Sequence, residues 1–281
     1  MTGLEAAEDL ILLVALSLAP ALLYLAWVRK GERSRPGRWG VLLGGFAYGA
    51  LFATVAAAVI EVVIVAAGTS VSQRYPAPDF VFLNGSSTAG ALFLVLVVAP
   101  FVEEALKGSG VVARRAGLAR LADGPVVGAS VGLGFGFFET FLYGLGAYFV
   151  GGLPAGLTLI VIRSVSSVVL HGSSTGMFGY GYARSRFQQP GPGTGSYYLV
   201  AVGMHSSFNA LASLSAILLV LGVGGFASDA ASFLALFAAI FFAFWAIEHV
   251  RAIIQASDYP GLLGGPVRYR PPSGPGSPGR R

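Results

Sequence analysis

The sequence predicts an all-α fold, a polytopic bundle of about seven transmembrane helices. Three observations carry that reading. The 281 residues are 55% hydrophobic and only 11% charged, against about 25% charged in a soluble domain. Several apolar runs exceed the ~18 residues that read as a membrane span. Many of the 40 glycines cluster inside two of those runs, where small residues let helix backbones approach closely in lipid. No length is left over for a sizeable soluble domain. One membrane-embedded domain is expected over residues 1–255, followed by a disordered Pro/Gly-rich tail at 256–281. Cysteine is absent, which removes disulfides, thiolate ligands and a cysteine nucleophile.

The elements follow in order. The first span, 8–28, lies in an acidic N-terminus, "MTGLEAAEDL", with no basic n-region. It is expected to be a retained span rather than a signal peptide. The second, 40–68, follows the basic connection "RKGERSRPGR". The third, 88–112, runs through "ALFLVLVVAP" with no polar side chain and then meets "FVEEALKGSG". Pro100 just before the acids is expected to open the backbone ladder and kink the span. The glycine-rich fourth and fifth spans, 124–149 and 155–183, are entered through the short basic stretch 114–124. The sixth, 197–222, follows the flexible "RSRFQQPGPGTG", and the seventh is 227–250.

An odd number of spans puts the termini on opposite sides. With the N-terminus outside, all but three of the 18 Lys and Arg residues fall in cytoplasmic segments; Arg74 lies outside, and Lys107 and Arg163 lie within spans. The positive-inside rule therefore predicts a multi-pass cell-membrane protein with an extracytoplasmic N-terminus and a cytoplasmic C-terminus. The net charge of +5 then follows from topology and attraction to anionic lipid, and no nucleic-acid partner is expected.

Against this background the ionisable residues inside spans stand out: Glu61, Glu103, Glu104, Lys107, Glu139, Arg163, His171 and His205. Each charge at mid-bilayer costs about 2.5–3.5 kcal/mol, so such groups face a bundle interior and have partners. At about 1.5 Å per residue, Glu103, Glu104, Glu139, His171 and His205 fall in one central band on four spans. Glu61 lies nearer the outer face and fits that band poorly. Helical spacing adds detail. Glu103 and Lys107 are i, i+4, with the acid on the favourable N-terminal side. Glu104 points about 100° away, so the two acids need not share a role. His205 and Asn209 are i, i+4, as are Phe135 and Glu139, and Ser167 and His171. Taken singly, each has a bland reading: a Glu–Lys pair as interhelical glue, a packed histidine, Asn209 as a helix–helix hydrogen bond, Phe135 as packing. The functional reading rests on their convergence.

In chain order, "EEALK" (103–107), "FGFFE" (135–139), "RSVSSVVLHGSSTG" and "HSSFN" (205–209) resemble the PrsW family of intramembrane proteases, relatives of the CAAX prenyl proteases. The resemblance covers the third to sixth spans, about 88–222. The CAAX branch shows F-x-x-x-H and E-E-x-x-x-R; Glu139 and Lys107 stand at those places here, which favours the PrsW branch. The resemblance implies a membrane-embedded peptidase that cleaves a peptide bond of a membrane protein within or near the bilayer. It also implies a substrate class of single-pass proteins such as bacterial anti-sigma factors.

Two chemistries suit that reaction. In one, Glu139, His171 and His205 hold a divalent ion, expected to be zinc, leaving a position for water. Glu103 or Glu104 serves as general base. In the other no metal takes part: a buried glutamate activates water, and His205 and Asn209 donate to the oxyanion. Lys107 orients or neutralises the glutamate pair in both. The rival class is a proton- or ion-coupled transporter using the same Glu/His cluster, but the inverted repeats that mark such folds are not evident.

Overall fold

The computed structural model describes residues 3–75 and 82–258. The tail expected to be disordered lies, from residue 259 on, outside them. Regular structure among the described residues is helical throughout. The order is α1 (Gly3–Arg29), α2 (Trp39–Ala47), α3 (Thr54–Arg74), α4 (Thr88–Phe93), α5 (Ala99–Ala113), α6 (Asp123–Ser164), α7 (Ser167–Arg186), α8 (Thr194–Ala212), α9 (Leu214–Val220) and α10 (Phe226–Asp258). A π-helical turn at Tyr48–Ala53 fuses α2 to α3, and one at Leu94–Val98 fuses α4 to α5.

Five helical stretches are long and apolar enough to cross a membrane, and one of them, Asp123–Arg186, has 64 residues. That stretch is not a single rod. Gly151 and Gly152 leave helical dihedrals, and Gly152 sits at φ 71°, a conformation open to glycine but strained for residues with a Cβ. The chain reverses there. A Cβ on Gly144 would meet Ile160, and one on Gly132 would run into the carbonyl of His171. Glycines at 124, 128, 132 and 136 thus set the first arm of α6 against Gly179, Thr175, His171 and Val168 of α7. This is the close approach that small residues permit in lipid, and it fixes the height of His171 against α6.

Dividing that stretch in two, and counting the α8–α9 pair as one pass, gives the seven segments the sequence predicts. Two of them depart from straight spans. The pass predicted at 197–222 bends by 71° between α8 and α9. The pass predicted at 155–183 breaks between α6 and α7, where Ser166 adopts φ −130°, ψ −80°. Such breaks within a bundle need partners for the freed backbone groups. Here the Ser166 hydroxyl bonds back to the carbonyl of Ile162 at 2.7 Å.

The α6–α7 hairpin is the centre of the bundle. Ala21, Leu25 and Val28 of α1, and Ala239, Ala243, Ile247 and Val250 of α10, are buried around it. Large side chains on the outer faces, such as Leu23, Val62 and Phe241, are exposed, as a lipid-facing surface requires. At the end carrying the basic loops, Arg120 joins three segments. It contacts Asp258 at 2.5 Å, Asp123 at 3.0 Å and Glu32 at 3.2 Å. In contrast, α3 buries only Thr54 and Ala57. It stands off from the hairpin and leaves a cavity between them.

Candidate active site

The cavity measures about 470 Å³ and is lined by α3, α5, α6, α7, α8 and the π-turn at Leu94–Val98. Glu103, Glu139, His171, His205 and Asn209 all reach it, so four of the predicted helices do deliver their polar stripes to one place. Glu104 and Lys107 lie behind the wall with fully buried side chains.

Glu103 and Glu104 have separate surroundings, as their angular offset on α5 requires. Glu104 is packed into α7 and α8. It accepts hydrogen bonds from Ser174 Oγ at 2.9 Å and Thr175 Oγ1 at 3.3 Å. It pairs with Lys107 Nζ at 2.7 Å. Glu103 faces the cavity and contacts Lys107 Nζ at 3.3 Å. The ammonium thus bridges both acids, closer to Glu104 at i, i+3 than to Glu103 at i, i+4. It lies 4.3 Å from the Phe135 ring, where the π face favours a cation. Phe135 also packs on His171, with ring centroids 5.1 Å apart, so its part is packing, as expected.

The protonation of His171 follows from its neighbours. Lys107 Nζ, which can only donate, lies 2.9 Å from His171 Nδ1. Nδ1 must therefore accept, and Nε2 carries the proton that it donates to Glu139 Oε2 at 2.8 Å. The same Glu139 oxygen accepts from Arg163 Nη2 at 2.6 Å. Arg163 in turn donates to Ser167 Oγ at 2.9 Å and stacks over Tyr143 at 4.0 Å. The Arg163–Glu139 pair straddles the reversal of the chain, and a reading of separate spans gave no signal for it.

His205 shows a related arrangement. Its Nδ1 lies 3.2 Å from Glu104 Oε1, off the line of a hydrogen bond. Its Nε2 faces Glu103 Oε2 at 3.9 Å. His171 Nδ1 lies 4.0 Å from the same Glu103 oxygen. Glu139 thus orients His171 through a hydrogen bond, Glu104 lies beside His205 without one, and each ring's other nitrogen is about 4 Å from Glu103.

Glu103, His171 and His205 form a buried trio whose ligand atoms all lie within 4.8 Å of one another. Two neutral imidazoles and a carboxylate from three helices suit a divalent ion. A hydrogen bond from a histidine's far nitrogen to a second carboxylate is the usual support for such a site, and His171 has it with Glu139. The expected set had Glu139 as its carboxylate. In the fold Glu139 meets His171 at its other nitrogen and is engaged with Arg163, while Glu103 is the carboxylate grouped with a nitrogen of both histidines.

Asn209 reaches the cavity for a reason that Pro100 explains. In the π-turn, the Ala99 N–H bonds to the carbonyl of Leu94. The next such bond would run from residue 100 to Val95, but proline has no N–H. Asn209 Nδ2 supplies the missing donor, at 2.8 Å from Val95 O. The amide's second N–H remains for the cavity. Glu61, set apart from the band on sequence depth, also lines the cavity, on the α3 wall.

The family comparison agrees with this geometry. The sequence model described as PrsW family intramembrane metalloprotease matches residues 37–246, from just before α2 into α10. No curated protein and no solved structure matches the chain. The matched region takes in every residue of the buried cluster, and the chain belongs to the PrsW family of intramembrane metalloproteases.

Proposed function

We propose that this membrane peptidase hydrolyses a peptide bond of a single-pass membrane protein in the cavity between α3 and the α6–α7 hairpin. The observation that carries the reading is the convergence of Glu103, Glu139, His171, His205 and Asn209 on one cavity at the heart of the bundle. An anti-sigma factor is a substrate of this class. The whole of 1–255 acts as one membrane-embedded domain. The basic loops lie on the cytoplasmic side, with the N-terminus outside and the C-terminus inside. Reporter fusions at Leu4 and Asp258 are expected to report opposite sides; the same side for both would overturn the topology.

Glu103, His171 and His205 would hold the ion, and zinc suits that donor set. Bound there, it would supply Lewis-acid activation of the peptide carbonyl and of water. The chain's own groups complete the chemistry. Glu139 has the most exposed side chain of the three clustered glutamates, 17% against 7% for Glu103 and 0% for Glu104. It is placed to take a proton from a water in the cavity and return it to the leaving amine. Asn209 offers its free N–H to the oxyanion. Glu104 and Lys107, out of contact with the cavity, hold His205, His171 and Glu103 in position.

One observation favours a second reading. Lys107 Nζ already stands between Glu103 Oε2 and His171 Nδ1 as a cation. In that metal-free form Glu103 itself takes the water proton, and His205 and Asn209 stabilise the oxyanion. The test of the shared reading is direct. Purified protein in bilayer discs is expected to cut a single-pass reporter at one bond within or beside its span. If a reporter series of varied span sequence stays intact while the protein remains folded, the peptidase assignment fails.

A further inference from the structure

Glu61 is the one carboxylate of the cavity wall that the site chemistry leaves unused. Thr54, Ala57, Ala58 and Glu61 line the cavity from α3. Their i, i+3, i+4, i+7 spacing makes them a single stripe. Three of the four are small, so the stripe is a smooth wall that ends in one acid. Glu103 has Lys107 and Glu139 has Arg163 as cationic partners. Glu61 has no ion pair among the described residues, and its buried Oε1 has no hydrogen-bond partner. Leaving a buried acceptor unmet is costly. The packing of α3 does not force that cost, because α3 buries only Thr54 and Ala57.

The direction of the cavity says what Glu61 meets. Three walls run from the cluster toward the same end of the bundle. On α8 they pass from His205 through Asn209 to Ala212, on α6 from Glu139 to Tyr143, and on α3 from Thr54 to Glu61. That end is opposite the basic loops. The cavity carries three carboxylates, Glu61, Glu103 and Glu139, against one guanidinium, Arg163, already bound to Glu139. Glu103 shares Lys107 with Glu104, so among the described residues Glu61 is the lining carboxylate without an ion-pair partner, and it stands at the outer mouth, apart from the reacting groups. A chain threaded from the cluster to the mouth would bring its extracytoplasmic flank past Glu61.

We propose that Glu61 is a specificity-determining residue that receives a Lys or Arg side chain of the substrate on the extracytoplasmic side of the scissile bond. This rests on the peptidase reading above. Its chemistry is charge pairing in a partly dry cavity, where a matched cation is favoured and a like charge strongly rejected.

The test is a set of single-pass reporters carrying Lys, Gln or Glu at successive positions outside the mapped cut. At one or two adjacent positions, wild-type protein is expected to cleave the Lys reporter about tenfold faster than the Glu reporter. Glu61→Gln should level that preference to about twofold, and Glu61→Lys should reverse it. An unchanged ranking in both variants overturns the proposal. Binding separates it from the peptidase reading. Anisotropy of a labelled Lys-bearing segment is measured on Glu103→Gln protein, with and without Glu61→Lys. About tenfold weaker binding with Glu61→Lys supports the proposal even if wild-type protein cleaves no reporter, an outcome that sinks the peptidase reading alone. Equal binding in the two backgrounds overturns the proposal whatever the cleavage assay shows.

Discussion

Glu103→Gln is expected to lower kcat/KM for a single-pass substrate by about 10²–10⁴-fold, the range for loss of a general base or equivalent group, with the fold intact. Gln keeps the shape of the side chain and removes its charge. The carboxylate faces the cavity, lies about 4 Å from a nitrogen of each histidine and keeps only one cation, Lys107, which Glu104 holds more tightly. Both chemical readings need it, as a ligand in one and as a base in the other. Glu104→Gln should fail differently. Glu104 and Lys107 are both fully buried at 2.7 Å, and removing one partner of a buried pair costs about 3–5 kcal/mol. Glu104→Gln is therefore expected to lower the unfolding temperature in the same bilayer mimic and to lose activity through misplacement of His205. Glu103→Gln should unfold close to wild type. Wild-type cleavage by Glu103→Gln would remove the mechanism in both forms; equal stability of the two variants would remove the division of roles.

How much of this was legible in the sequence depends on the distance over which each interaction acts. Composition and apolar run length fixed the fold class, because a span must satisfy its backbone internally whatever it packs against. Helical spacing placed Glu103 beside Lys107, and Asn209 on the His205 stripe, because these are neighbours on one helix. What the sequence left open was pairing across helices. The partner of Glu139 is Arg163, reached only after the chain turns at Gly151–Gly152. The partner of Asn209 is a carbonyl 114 residues away, freed by Pro100. Depth alone set Glu61 apart, yet α3 stands off far enough to turn it into the cavity. The expected third ligand, Glu139, shares depth with the histidines. Depth does not report that a guanidinium already engages it, nor that Glu103 comes within about 4 Å of a nitrogen of both rings.

His171→Ala and His205→Ala are each expected to lose stoichiometric metal together with activity. A site reduced to two protein ligands holds its ion poorly, and the binding energy goes with the ligand. Metal content of purified, dialysed protein, read by elemental analysis, is the measurement. The carboxylates then sort themselves. On the geometry found here Glu103→Gln should empty the site, because Glu103 Oε2 faces both rings at about 4 Å. As far as the metal is concerned, Glu139→Gln removes only the acceptor that orients His171, and a lost outer partner weakens metal binding by about 10–100-fold. That variant should recover its metal when the ion is supplied in excess. Asn209→Ala should keep the metal and lose about 10²–10³-fold in kcat, the usual cost of one oxyanion donor. The reverse order, metal lost with Glu139→Gln and kept with Glu103→Gln, would return Glu139 to the ligand set and leave Glu103 as base. Active wild-type protein that resists chelators and carries no stoichiometric metal would leave Lys107 as the cation of the site. Glu103 would then act on water alone, with His205 and Asn209 facing the oxyanion.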